Sequence, residues 1–273
     1  MMFDITGAIV LYNNDEKILF EAVNSFLNTS LNVKLYLVDN SPTDELKKFG
    51  IDPRIEYSHH PSNPGFGSSH NYAIKKVINL TKFHLVLNPD IYFDNGVIES
   101  LIYYLESNDD IGVIMPKVLY PDGSNQYLAK LLPTPYDFVV RRFLPFKALK
   151  EKMSHRFELR GYEYKKIMDV PFLSGCFLVF RTDVLETVGG FDEHIFMYTE
   201  DIDICRRINK ANFRSVFYPE VQVYHDHEPK SFLSLKTFKI YLKSAVYYFN
   251  KWGWFFDSER KEINDKTLLQ IKK

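Results

Sequence analysis

Residues 5–41 read ITGAIVLYNNDEKILFEAVNSFLNTSLNVKLYLVDNS, and the way their apolar positions recur sets the fold class. Residues 5–11 are an apolar run that stops at Tyr12-Asn13-Asn14, as a buried strand stops at a polar turn. Ile18, Ala22 and Phe26 then recur at helical spacing, with Leu19, Val23 and Leu27 beside them. A second apolar run, 33–38, ends at Asp39-Asn40-Ser41-Pro42, a turn composition.

The alternation continues outward. Residues 67–80 read as helix, 84–87 as strand, 95–106 as helix with Val97, Leu101 and Leu105 aligned, and 111–115 as strand. Strands alternating with helices imply an α/β fold, with a mostly parallel central sheet flanked by helices. From 120 to 169 the pattern weakens: Pro121, Pro133, Pro135 and Pro145 interrupt it, and Arg141-Arg142 adds positive charge. An insertion over the cleft, a lid, is the expectation there. Regularity returns at 170–180, and the helical stretch 182–188 ends at Gly189-Gly190, residues suited to a left-handed C-terminal turn.

The chain has 273 residues, enough for one large α/β domain, and a formal net charge of −1 that gives no footprint for nucleic acid. Its two cysteines, Cys176 beside Phe177 and Cys205 beside Ile204, suggest no disulfide framework; a reducing cytoplasm is the simpler setting. The first ten residues carry Asp4 and lack the basic start of a signal peptide. The apolar stretch 170–180, broken by Ser174 and Gly175, is too short to span a bilayer. These features predict a soluble or peripheral protein.

In open α/β sheets ligands sit at the carboxyl ends of the strands. Here those ends carry Tyr12-Asn13, Asp39-Asn40 and Asn88-Pro89-Asp90. A carboxylate such as Asp90 can hold a divalent cation that neutralises a diphosphate. Residues 63–71, Asn-Pro-Gly-Phe-Gly-Ser-Ser-His-Asn, form a glycine- and serine-rich turn into a helix, which lets backbone N–H groups approach a nucleotide; the third glycine of the dinucleotide fingerprint and a Walker lysine are missing. The acidic segment Glu200-Asp201-Ile202-Asp203 follows Thr199, a suitable helix N-cap. Asp203 stands four residues before Arg207 and should pair with it. Asp201 aligns instead with Cys205 and Ile208, and an acid near an apolar face at a cleft suits general-base work. Residues 221–224 read as a last strand delivering His225-Asp226-His227, of which either histidine could complete a metal site with Asp90.

Taken in order, Tyr12-Asn13, Val38 to Ser41, Asn63 to Asn71, Leu87 to Asp90, Ser174-Gly175, Gly190 to Glu193, Glu200 to Asp203 and His225 to Ser231 resemble the family-2 inverting glycosyltransferases. The branch that includes bacterial rhamnosyltransferases and galactofuranosyltransferases is the nearest in motif. The resemblance implies a GT-A fold over 1–230: a nucleotide-binding half 1–118, the insertion 119–169, and an acceptor and catalytic half 170–230. It implies a hexosyltransferase-type enzyme, assisted by Mg or Mn, that uses a dTDP- or UDP-linked sugar, rhamnose among the candidates. The acceptor would be a glycan or a lipid-linked glycan in surface polysaccharide synthesis such as O-antigen.

By the same resemblance Asp201 is the catalytic base with Glu200 beside it, and Asp39 reads the base or ribose of the donor. The donor-binding set is Tyr12, Asn13, Asp39, Asn40, Asn63, Gly65, Asn71, Asn88 and Asp90. The metal falls to Asp90 and His225, with His227 as the fallback. Two departures stand out: Asn88 replaces the first acid of the Asp-x-Asp metal motif, and Lys210-Ala211-Asn212-Phe213 lacks the glycine that commonly follows the acidic helix.

Two other readings share the sheet. A nucleotide-sugar pyrophosphorylase should open with a glycine-rich, basic loop where this chain has Tyr12-Asn13-Asn14-Asp15. A non-catalytic carbohydrate- or partner-binding module would not need Asp90 and Asp201 on one cleft. The extension 231–273 should be helical. Its residues 231–256 crowd aromatics with Lys236, Lys239 and Lys243, as in a helix that lies on the inner face of the plasma membrane or one that packs on the domain.

Overall fold

The computed structural model describes residues 2–140, 147–162, 164–226 and 234–271, so Arg141, Arg142, Pro145, His227 and residues 228–233 lie outside it. Strands β1 (Ile5–Leu11) and β2 (Val33–Asp39) pair in parallel through α1 (Glu16–Leu27), the crossover that their apolar runs predict. Asp15 caps α1 by accepting from the Lys17 and Ile18 N–H groups, a contact that stabilises a helix by about 1 kcal/mol. Next come β3 (Ile55–His59), α2 (Phe66–Val77), β4 (Phe83–Leu87), β5 (Ile91–Tyr92), α3 (Val97–Glu106), β6 (Ile111–Leu119) and β7 (Ala129–Lys130). After α4 (Lys147–Phe157) the chain forms β8 (Met168–Asp169), β9 (Phe172–Leu173), β10 (Phe177–Arg181), α5 (Thr182–Val188), α6 (Glu200–Lys210) and β11 (Arg214–His225). It closes with α7 (Leu235–Trp252) and α8 (Ser258–Ile271).

The central sheet has the order β3-β2-β1-β4-β10-β6-β11-β5, with β8 added beside β11. The β3-β2-β1-β4 run is parallel, as is β6 with β11, while β10 runs antiparallel to both of its neighbours. Helices cover both faces, so β1, β4 and β10 are buried along nearly their whole length. Strand β3 falls where no strand is expected: Glu56, Ser58 and His59 lie half-buried on it, and they dilute the apolar signal. The apolar stretch 170–180 is two strands, β9 and β10, separated by residues 174–176.

The segment expected to be a lid packs into the domain over its described part. Phe157, Leu159 and Tyr164 belong to the main core, and the Tyr164 ring meets Phe217 edge-on at 4.9 Å between centroids. The Tyr164 hydroxyl lies 2.6 Å from the Ala129 carbonyl oxygen. Prolines hide this anchoring in the sequence, because they break periodicity without removing burial.

The C-terminal helices grip α6. The Arg206 guanidinium, 1% exposed, forms a two-pronged pair with Asp257 at 2.7 Å on each arm, and it meets Glu259 at 2.9 Å. The Trp252 ring stacks on it at 4.4 Å. One turn away, Asp203 accepts from Arg207 Nε at 2.8 Å, the pair its spacing predicts, and also from Trp252 Nε1 at 2.8 Å. Replacing Arg206 by Ala would take the two-pronged partner from the buried Asp257 carboxylate and leave it only Arg260, its guanidinium 3.7 Å away, and breaking such a pair costs about 3–5 kcal/mol. We expect Arg206→Ala to lose that much in urea unfolding; a loss below about 1 kcal/mol would contradict the grip described here.

Candidate functional site

Because β2, β1 and β4 are adjacent and parallel, their carboxyl ends meet at one edge. Tyr12 is exposed there, and Asn13, in the left-handed region at φ 50°, donates its N–H to Ser41 Oγ at 2.9 Å. Asp39 is fully buried; it accepts from the Tyr57 hydroxyl at 2.6 Å and from the Ser41 N–H at 2.8 Å. Burial, and then the Asp39 carboxylate, push the Tyr57 phenol well above its ordinary range. Tyr57 belongs to the unexpected β3, so sequence reading missed it. Asn40 is tied to Ser69 on α2, its Nδ2 donating to Ser69 Oγ at 2.7 Å.

Asn63 also adopts a left-handed conformation, φ 46°. Gly65 follows at φ 102°, and a Cβ there would sit 2.5 Å from the Phe196 carbonyl oxygen, which instead accepts from the Phe66 N–H at 2.9 Å. Only glycine lets the stretch ahead of α6 cross the start of α2 so closely. Asn71, expected with the donor-binding set, faces that same stretch. Its amide nitrogen donates to Phe191 O and Glu193 Oε1, and its oxygen accepts from the Phe191 N–H. It is 3% exposed and braces the loop that leads to the acids.

Asp90 and His225 meet through the β5–β11 register, which pairs Ile91 with His225. The Asp226 N–H donates to the Asp90 carbonyl oxygen at 2.9 Å, and His225 Nε2 stands 3.2 Å from Asp90 Oδ1. Gln126 sets the ring. Its Nε2 donates to the His225 carbonyl oxygen at 2.8 Å, which leaves Oε1 to accept from His225 Nδ1 at 2.9 Å. With Nδ1 donating to Gln126, Nε2 is left to face the Asp90 carboxylate oxygen, and the two atoms can serve one cation together. No group of three or more His, Cys, Asp and Glu side chains forms a closed cage among the described residues. Two such groups fit a divalent cation that would draw its remaining ligands from a substrate and solvent.

Residues 174–176 connect this corner to the second acid. The Asn88 N–H donates to the Cys176 carbonyl oxygen at 2.8 Å, and the Gly175 N–H donates to Asp201 Oδ2 at 3.1 Å. Burial and then the Asp90 charge push the Cys176 thiol up to about 12, with a further push from Asp201, so one sulfur feels both carboxylates. Thr199 takes the N-cap position its sequence predicts, but its side chain makes no capping hydrogen bond: the hydroxyl donates to the Ser244 carbonyl oxygen of α7 at 3.3 Å. Glu200 Oε2 accepts the Thr199 N–H instead, at 2.9 Å, and Asp201 Oδ1 accepts from the Ile202 N–H at 2.9 Å. Tyr198, just before, is held at φ 93°, a strained conformation of the kind that collects at functional sites.

The glycosyl transferase family 2 model matches residues 8–189, so Asp201 and His225 lie beyond it. N-acetylglucosaminyl-diphospho-decaprenol L-rhamnosyltransferase of Mycobacterium tuberculosis is 28% identical over 211 residues, 73% of this chain and 68% of that protein. Rhamnosyltransferase WbbL of Escherichia coli (strain K12) is 30% identical over 197 residues, 67% of this chain and 69% of the relative. Among solved structures, GalNAc-T7 with UDP, GalNAc and Mn2+ superposes with a TM-score of 0.64 at 13% identity over 92% of this chain and 50% of its own. S. aureus TarS gives 0.62 at 16% identity over 97% of this chain and 43% of its own. The chain spans about half the length of those two structures, and at such identity they show the shared GT-A fold.

The two neighbouring acids of α6 are not equivalent. Burial raises both carboxyls above their ordinary range. For Glu200 the Asp201 charge adds to that rise, whereas Asp201 is drawn back by the Gly175 and Ile202 N–H groups and by Lys130 of β7. Glu200 therefore takes a proton first and Asp201 keeps the charge. Lys130 is a site cation that nothing in its local sequence advertised. Because folded Glu200 binds its proton more tightly than unfolded Glu200, stability falls as pH rises out of the ordinary carboxylate range. Glu200→Gln should thus melt higher than the wild type at about pH 8, with the gain shrinking toward about pH 4. Equal gains at both ends in a calorimetric pH series would contradict this electrostatic reading.

Proposed function

Since the chain belongs to glycosyl transferase family 2, we propose that it is an inverting hexosyltransferase of polysaccharide synthesis. Its donor is a dTDP- or UDP-linked sugar, rhamnose by the names of its relatives, and its acceptor a glycan or lipid-linked glycan. The observation that carries the reading is the 174–176 connection: one short stretch holds Asp201 by a Gly175 hydrogen bond and the turn before Asp90 by a Cys176 hydrogen bond. A binding module of the same fold has no need to bring a base and a phosphate-side acid to the same cleft.

Asp201 takes the proton of the acceptor hydroxyl. The freed oxygen forms the new bond to the anomeric carbon as the carbon–oxygen bond to the diphosphate breaks on the opposite face, and the nucleoside diphosphate leaves. Asp90 and His225 would hold the divalent cation, Mg or Mn, which when bound stabilises charge on the leaving diphosphate. In this reading Tyr12, Asn13, Asp39, Asn40, Asn63, Gly65 and Asn88 serve the donor; Tyr12, Asn40, Asn63 and Gly65 line one cavity, and Asp39 accepts from Tyr57. Asp201→Asn keeps the shape and removes the base, so turnover should fall at least about a hundredfold while donor affinity holds. Asp90→Ala should weaken donor binding and turnover together, as should a chelator on the wild type. Full turnover in Asp201→Asn removes the base assignment, and full turnover in excess chelator removes the cation.

We further propose cytoplasmic work at a membrane face. No described helix is long and apolar enough to cross a membrane. One side of α7 is packed on the domain through Tyr241, Ala245, Tyr248 and Phe249, while Lys239, Leu242, Lys243 and Val246 are exposed on the other. Phe255 is 77% and Phe256 100% exposed in the turn that follows. Such a basic and apolar surface suits reversible contact with anionic lipid. Co-sedimentation with anionic vesicles should fall when Lys239 and Lys243 become Gln and when salt is raised. A protein that stays in the supernatant at low salt would show that α7 only packs.

A further inference from the structure

The start of α7 opens onto the donor side of the cleft. A cavity of about 350 Å³ is lined by Tyr12, Asn14, Asn40 and Asn63 from the strand-end turns, by Phe66 and Phe196, and by Lys236 of α7. Every other residue that lines it is neutral, so Lys236 brings the one formal charge. Lys236 is exposed and has no ion-pair partner among the described residues.

Its placement is fixed by contacts elsewhere on the helix. Ser234 caps α7 by accepting the Thr237 N–H at 3.0 Å, and Ser244 Oγ donates to the Met197 carbonyl oxygen at 2.7 Å. Met197 itself borders the cavity and stands three residues before Glu200. The first turn of α7 is thus held beside the strand ends and the stretch that leads into the acidic segment. An unpaired cation in a cavity with amide and aromatic walls is complementary to an anionic group on a ligand that also offers polar and flat surfaces.

We propose that Lys236 binds a phosphate group of the nucleotide donor, so that α7, which lies outside the family-matched region, completes the donor site. The proposal rests on the nucleotide-sugar reading above. It also separates Lys236 from Lys239 and Lys243, which share its helix but do not line the cavity.

Calorimetric titration of UDP and dTDP, with Mg2+ present, into the wild type, Lys236→Gln and Lys236→Arg tests it, with Lys266→Gln as a control for one lost surface charge. Lys236→Gln should weaken nucleoside diphosphate binding about tenfold, the scale of one lost charge-assisted contact, while Lys236→Arg and Lys266→Gln stay close to wild type. The donor KM should rise by a similar factor and the acceptor KM should not. Unchanged diphosphate affinity in Lys236→Gln overturns the proposal, and a rise confined to the acceptor KM overturns it in favour of a phosphate on the acceptor. A wild type that binds neither diphosphate overturns the nucleotide-sugar reading itself, and Lys236 with it.

Discussion

Strand β10 runs antiparallel between β4 and β6, so its first residue, Phe177, pairs with the last residue of β4, Leu87. Had it run parallel, its approach would lie at the opposite edge of the sheet, away from the turn that carries Asp90. Reversed, it delivers residues 174–176 to the carboxyl ends of β1, β2 and β4, where polar turns already gather. There the Cys176 carbonyl oxygen takes the Asn88 N–H and the Gly175 N–H takes Asp201. A Cβ at Gly175 would lie 3.3 Å from the Asp201 Cβ, so the close approach of α6 also depends on the missing side chain. The direction of one strand thereby ties the turn before Asp90 and the acid Asp201, distant in sequence, to the same three residues.

The acids themselves are costly to the fold. Burial raises the Glu200 and Asp201 carboxyls. The C-terminal segment holds the same helix through other side chains. Arg206 is bound to Asp257 and stacked on Trp252, and Asp203 is bound to Arg207, Lys251 and Trp252. Side chains of one helix therefore do separate work: Asp201 meets Gly175 on one face while Asp203, Arg206 and Arg207 meet the scaffold on another. Such support of a reactive group by a surrounding shell is what keeps its geometry within catalytic tolerance.

The first crossover, the two terminal glycines of α5 and the Asp203–Arg207 pair were legible because each is a local pattern: a period, a turn composition, a four-residue spacing. The residues alone left Asp90 a choice of His225 or His227, and only the resemblance preferred His225, since nothing local says that β5 pairs with β11. Tyr57 against Asp39, Gln126 against His225, and Lys130 near Asp201 stayed hidden for the same reason: each pairing is made by sheet order. Asn71, expected on the donor side, also binds Phe191 and Glu193 through its amide, contacts across the fold that no local pattern announces. The C-terminal aromatics fit a membrane helix and a packed helix equally well in sequence, and Tyr248 and Phe249 turn out to be core residues.

A single displacement, with Asp201 as base on one side of the sugar and the diphosphate departing on the other, leaves a stereochemical record in the product. The most direct measurement is the anomeric configuration of the transferred sugar, read by proton NMR from the coupling at its anomeric carbon and compared with that of the donor. The account predicts inversion, α from a β donor or β from an α donor. Retention of the donor's configuration would contradict it, because retention requires a second displacement or a different face of attack, and neither leaves Asp201 the role proposed for it here.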